Sequence, residues 1–431
     1  MIEYTAQAAA PFFTGEVKLA IGDKAFTATA LFDIVEIPFT SVNKLTFADY
    51  TVTVKTDDGD YAFSRMGSWG QPFYDALLDA YNMAVLRSLF TKGSPLITAK
   101  GNAGFTERFV SGSGSAHINV YEDSVVALPP DISARRVPLC FVNGMNTGDF
   151  ELTLTLDTGE SYSYARLGYD TTPFADAIAK QIRALREKTL AAVCVIDPSM
   201  TPMQASGVAR LMPEGAAAPF GQIASIAPSF KAALESKLAG TRAAAYYVAF
   251  KELCDPAKIF IGFRKNETDY GSAEPLQEAP GGAGTMEGRL AGGGSALDTL
   301  SSLNNGNTNT ERLHEAAPDP YLLWLIAPSP DGQYAAVEFA EAGAATFIYR
   351  TYGDFDGFAR QLNRALEAIR FKREVIRMTD EELRKPENAD YYMASKRTAA
   401  LQFVRSNFTG RIIHSSLEAW KRKLMEIFNG M

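Results

Sequence analysis

Residues 50–67 read YTVTVKTDDGDYAFSRMG, and residues 150–168 read FELTLTLDTGESYSYARLG. In both, apolar and polar residues alternate, a turn intervenes, and alternation resumes up to an Arg-x-Gly. A period of two on either side of Asp57-Asp58-Gly59 and of Asp157-Thr158-Gly159 predicts a half-buried hairpin in each stretch. The glycine supplies the positive φ that such a turn favours. After Gly67 and Gly168 the period changes to 3.6. Phe73, Leu77, Tyr81, Ala84 and Val85 fall on one helical stripe, as do Phe174, Ile178, Ile182 and Leu185.

The match extends outward at an offset of 100–101 residues. Upstream, Ile37-Pro38-Phe39 with Val42-Asn43 recurs as Val137-Pro138-Leu139 with Val142-Asn143. Downstream, Pro72-Phe73 and Asp75-Ala76-Leu77 recur as Pro173-Phe174 and Asp176-Ala177-Ile178. A period this long is one duplicated domain rather than a short solenoid repeat. Proline is tolerated in a first helical turn, where its missing N–H would be unpaired. Thr172 is the expected N-cap, with Asp75 and Asp176 in the first turn.

A third, diverged copy is expected to end near residue 371. Ala335–Phe339 and Thr346–Tyr349 read as strands, Arg350-Thr-Tyr-Gly353 echoes Arg-x-Gly, and Phe358, Leu362, Leu366 and Ile369 repeat the stripe. Gly67, Gly168 and Gly353 read as positive-φ joints between strand and helix. Lys258–Phe263 reads as a strand, and Phe230, Leu234 and Leu238 as one face of a helix opened by Ser229. The expected division is 10–95 and 110–192 for two like units, 195–371 for the third, and 372–431 for a helical C-terminal region. Residues 267–317, rich in Gly, Asn, Ser and Thr, read as a disordered insertion. Thr379 with Glu382 and Ser415 with Glu418 have capping-box spacing.

Several short strands, a hairpin and one closing amphipathic helix in 80–100 residues form an order that resembles bacterial PH-like domains in tandem. The resemblance covers residues 10–190 and extends to a third copy ending near 371. It implies an α+β fold, an antiparallel sheet or barrel capped by a helix. It implies binding of phosphoinositides, peptides or proteins, or a structural role; a fold alone does not choose. Lipid-binding members carry several basic residues in the first strand–strand loop. The corresponding stretches here, Ile21-Gly22-Asp23-Lys24 and Tyr121-Glu122-Asp123-Ser124, hold one lysine between them.

Composition bounds the function. The chain has 431 residues, 46% hydrophobic and 21% charged, with a formal charge of −8. That balance fits several buried cores and argues against nucleic acid as a partner. Three scattered cysteines make no disulfide framework and favour a reducing compartment. With no signal peptide and no long apolar run, the expected location is cytoplasmic. Charge is uneven. Residues 360–431 hold 15 Lys and Arg against 9 Asp and Glu, a net of +6, which leaves −14 for the rest. Such a basic end points either to an acidic partner or to docking on its own acidic domains.

No HExxH, GxSxG or Walker A pattern is present, and His117, His314 and His414 are isolated. Asp354-Phe-Asp356 reads as a helix start rather than a metal site. Neither a cofactor nor catalytic residues are expected. The repeated Arg65, Arg166 and Arg350 are either carboxylate receivers or ties to their own domains. The candidate interaction residues are Trp420, Lys421, Arg422 and Lys423, on an amphipathic last helix carrying Leu417, Leu424, Ile427 and Phe428. The expected function is a non-enzymatic scaffold that recognises a protein or peptide. The alternatives are an adaptor whose basic end meets an anionic membrane, and an enzyme with a site in 195–371.

Overall fold

The computed structural model describes residues 3–11, 13–265, 320–340 and 345–429. The first sheet contains β1 (Glu3–Ala9), β2 (Thr14–Ile21), β3 (Ala25–Thr29), β4 (Ile34–Pro38), β5 (Val42–Ala48), β6 (Thr51–Thr56) and β7 (Gly59–Ser64). Its spatial order is β4-β3-β2-β1-β7-β6-β5, so β1 closes on β7, and α1 (Gly70–Ser88) follows. The expected hairpin is β6–β7, with Gly59 at φ 131°. Phe73, Leu77, Tyr81 and Val85 of α1 are fully buried against the sheet. Phe73 meets Tyr4 and Phe63 edge-on at 5.1 and 6.4 Å.

The second sheet repeats this topology. β8 (Ile97–Thr106), β9 (Ser111–Val120), β10 (Ser124–Leu128), β11 (Arg135–Pro138), β12 (Val142–Thr147), β13 (Glu151–Leu156) and β14 (Ser161–Ala165) lie in the order β11-β10-β9-β8-β14-β13-β12. α2 (Thr171–Ile196) follows, with Phe174 and Ile178 fully buried. The two edges also share a β-bulge at the same step, Val42/Lys44 in β5 and Val142/Gly144 in β12.

Both sheets begin before the boundaries read from sequence, at Glu3 and Ile97 rather than 10 and 110. Two local expectations are corrected. Thr172 lies inside α2, which continues directly from a 3₁₀ turn at Gly168–Asp170 and so has few orphan N–H groups to cap. With α1 starting at Gly70 and α2 at Thr171, Asp75 and Asp176 both fall beyond the first turn; Asp75 accepts from Gln71 Nε2 at 2.8 Å.

Beyond the repeats come α3 (Pro202–Leu211), β15 (Ala217–Pro219), α4 (Phe220–Ile226), α5 (Pro228–Ala239), α6 (Ala244–Leu253), β16 (Phe260–Lys265), β17 (Tyr321–Pro328), β18 (Tyr334–Phe339) and β19 (Ala345–Arg350). α7 (Phe355–Ala368), α8 (Glu374–Arg377), α9 (Asp380–Leu383), α10 (Ala389–Arg397), α11 (Ala399–Asn407), β20 (Phe408–Ile413) and α12 (Leu417–Phe428) complete the chain. The third sheet runs β15-β16-β17-β18-β19-β20. Its β17–β18–β19–α7 run echoes the second half of a repeat. It departs in what lies beside the last strand: β7 pairs with β1 from before its hairpin, whereas β19 pairs with β20 from after its helix. Among the described residues after 372, the elements are therefore helices apart from β20. The expected insertion at 267–317 lies outside the described residues. Apart from Lys265, Pro320 and Tyr321, the described residues belong to one compact unit.

Thr379 and Glu382 form the predicted capping box, but Ser416, not Ser415, caps α12 by accepting from Ala419 N. His414 follows β20 rather than lying in a helix.

Candidate binding site

Much of the basic end is spent inside the molecule. α7 lies along the outer edge of β11, where Arg364 Nη2 donates to the Arg136 carbonyl at 2.7 Å and Arg364 Nε pairs with Glu160 at 3.0 Å. Arg136 Nη1 pairs in turn with Glu367 at 2.6 Å, and Arg370 Nη2 with Asp123 at 2.5 Å. Burial alone would lower the Arg136 and Arg364 pKa values. The carboxylates around them more than offset it and hold both guanidinium groups charged. Burial likewise pushes the Asp123 carboxyl up, but Arg136 and Arg370 outweigh it and hold Asp123 below the usual carboxylate range. On α10, the buried Arg397 donates to Tyr81 Oη of the first repeat at 2.7 Å, and Lys396 pairs with Asp57 at 2.6 Å. The charge asymmetry in the sequence thus reflects, in part, docking of the basic end on its own acidic repeats.

The four candidate interaction residues separate. Trp420 is fully buried; its Nε1 donates to Thr346 Oγ1 at 2.8 Å, and its ring meets Tyr246 and Phe250 edge-on. Lys421 pairs with Glu252 at 2.6 Å. Arg422 and Lys423 are exposed. With Leu424 and Phe428 also buried, the apolar face of α12 is occupied by the protein itself. Arg65 and Arg166 are exposed, both at φ 60°.

Two buried polar groupings have the chemistry of a reaction centre, and neither has its geometry. The first joins Glu338, Thr346 and His414 beneath Trp420. A single imidazole nitrogen, Nε2, approaches both Thr346 Oγ1 (3.1 Å) and Glu338 Oε2 (3.2 Å). A nucleophile–base–orienter relay needs the two oxygens on different ring nitrogens, so this cluster is a latch. Tyr246 stacks on the imidazole at 3.9 Å. The second lines a cleft in the second repeat between Gly104, Ser113, Gly114, Arg135 and Tyr164, of ≈ 330 Å³ counting the space open to solvent. The Tyr164 hydroxyl is buried there without a partner, where the first repeat has Phe63. The enclosed part has room for about one water, which would satisfy that hydroxyl.

The grouping with unsatisfied binding capacity lies on the third sheet, beside its edge strand β20. Phe339 and Phe347 point to the α8 side of the sheet, 6.3 Å apart. The Arg373 guanidinium lies over Phe339 at 4.3 Å and that of Arg377 over Phe347 at 4.9 Å. Arg411, on β20, is the cross-strand partner of Phe347 and is exposed. Burial, followed by the charge of Arg373, lowers the Arg377 pKa, and Arg411 adds to this. Neither Arg377 nor Arg411 has a carboxylate within salt-bridge distance among the described residues, and Arg377 Nε is buried without a hydrogen-bond partner. Nearby acids are already engaged: Glu374 accepts from Tyr391 and Asp380 pairs with Arg405. Sequence reasoning passed over this site because it is assembled by strand pairing between β19 and β20. The compositional excess of Lys and Arg after residue 360 was its only trace.

Asp354 caps α7 by accepting from Gly357 N at 3.0 Å and pairs with Arg108, as a helix start should. Cys140, Cys194 and Cys254 are free thiols. No helix among the described residues is long and apolar enough to cross a membrane. No family model matches the chain, and no curated protein matches it.

Proposed function

We infer that this chain is a non-enzymatic, cytoplasmic scaffold built on tandem PH-like repeats, and that it recognises an acidic segment of a partner protein. The PH-like reading is supported by the shared order of seven strands, the closure of the first on the last, and the helix that follows each sheet. The observation that carries the binding function is the pair Arg377 and Arg411, two cations with no carboxylate within salt-bridge distance among the described residues, beside the terminal strand β20. An extended peptide can add to such an edge through its main chain, while its carboxylates reach the arginines. The Phe347 face behind the Arg377 guanidinium holds it in place, while Arg411 presents its guanidinium from the exposed strand.

The test is fluorescence anisotropy with a labelled Glu/Asp-rich peptide, titrated with the full chain. Binding should weaken with salt and fall at least tenfold in an Arg377→Gln/Arg411→Gln double variant. It should be unchanged in Arg422→Gln/Lys423→Gln. No binding, or equal loss in both variants, would refute the site. Salt-sensitive capture by phosphatidylserine vesicles that depends on Arg422 and Lys423 would favour the membrane adaptor instead.

A further inference from the structure

The two repeats are joined by a contact that the duplication leaves half used. The β10–β11 corner of the second repeat meets the β5 edge of the first. Leu45 N donates to the Pro130 carbonyl at 2.8 Å and Ile132 N to the Asn43 carbonyl at 3.1 Å, with Lys44 opposite Asp131. Behind these bonds Tyr121, Val126, Leu128 and Ala134 are buried in the core of the first repeat.

Each partner in this contact has a counterpart that is open. The β3–β4 corner of the first repeat corresponds to the β10–β11 corner. Its Leu31, Phe32 and Ile34 are 85%, 90% and 72% exposed. The β12 edge of the second repeat corresponds to β5. The shared bulge fixes the equivalence, with Leu45 opposite Val54 and Met145 opposite Leu154. Asn143 and Met145 therefore stand where Asn43 and Leu45 bond the corner, and β12 is a terminal strand of its sheet. Asn143, Asn146 and Thr147 are exposed.

We propose that the exposed β3–β4 corner of one copy docks on the β12 edge of a second copy, repeating between molecules the contact that joins the repeats within one. The contact is heterologous, so it propagates copy to copy into a ring or a filament. Apolar side chains of this size at a solvent-facing corner, beside the terminal strand β4, mark a surface that is covered in use. The second copy is the occupant because its β12 edge has the bulge and register that this type of corner already fits. The intermolecular contact is weaker than the internal one. Thr27 and Thr29 stand where Val126 and Leu128 pack, and Gly144 where Lys44 faces Asp131. Assembly should therefore depend on concentration.

Analytical ultracentrifugation of the full chain over a wide concentration range tests this. The weight-average mass should rise with concentration for the wild type. It should stay at the monomer for Phe32→Asp, an exposed position whose change leaves the melting temperature unaltered. Met145→Pro, which removes the edge N–H, should also be monomeric. Asn143→Trp, at an exposed edge position, replaces it if Met145→Pro loses its cooperative melt. Mixing the corner variant with the edge variant is decisive. Each retains the surface the other lacks, so the mixture should give one-to-one dimers and nothing larger. A wild type that is monomeric throughout overturns the proposal. So does an edge variant that still self-associates, or a mixture that stays monomeric.

Discussion

At the scale of single residues, the seam between α7 and the second repeat decides stability. Arg364 is 4% exposed and holds both the Glu160 carboxylate and the Arg136 carbonyl. Arg364→Ala leaves the buried Glu160 carboxylate without its counter-charge, with the Tyr162 hydroxyl still donating to it, and takes a donor from the Arg136 carbonyl, which costs roughly 3–5 kcal/mol. Replacing the pair together, Arg364→Met with Glu160→Leu, should recover most of that loss in guanidinium denaturation, because no uncompensated charge remains. Asp123 gives the pH dependence. Its folded pKa lies below the unfolded value of about 3.9, so its contribution is present above about pH 4 and is lost as pH falls through the folded value. Asp123→Asn should therefore melt below the wild type at pH 7, and the gap should close as pH falls below 4. None of these partners was legible in sequence. Arg364 occupied an ordinary polar position between Phe358, Leu362 and Leu366, and only the bulk charge asymmetry indicated that such residues would be consumed internally.

At the scale of elements, helices were easier to read than the strands that open each sheet. The stripes Phe73–Val85, Phe174–Ile182 and Phe358–Ile369 are buried as their 3.6-residue period requires. Truncating Phe73 or Phe174 to Ala should cost about 3–5 kcal/mol in thermal or chemical unfolding of the full chain. The hairpin β8–β9 was missed because Gly101, Gly104, Gly112 and Gly114 give it the composition of a loop. At Gly101 the composition has a packing cause: a Cβ there would lie 2.6 Å from the Ala165 carbonyl oxygen of the neighbouring strand. β20 escaped notice because it is short and lies among helices, and its pairing with β19 is long-range. Helix α12 makes a second element-scale prediction. Leu424→Asp places a charge in a fully buried position and should lower the melting temperature by several degrees in a scanning calorimetry trace.

At the scale of the whole molecule, duplication was legible and the way the repeats are locked together was not. The third segment copies only the hairpin-and-helix half of a repeat, and its α7 covers the β11 edge that the equivalent β4 leaves bare. The arginine pair at β20 arises from this incomplete third copy, because β19 takes β20 as its neighbour where a full repeat would supply its own opening strand. The placement of β20 also sets an order in time. A chain leaving the ribosome has every strand of both repeats by Ala165, and both closing helices by Ile196. The third sheet must wait for Ile413, and Trp420 cannot reach Thr346 until later still. Arg397, which locks α10 to Tyr81 of the first repeat, also comes late. The nascent protein therefore carries two sheets built early beside a third that stays open until synthesis is nearly over. Stopped-flow refolding followed by tryptophan fluorescence, compared with a Trp420→Phe chain, should show the signal of that ring in the slowest phase.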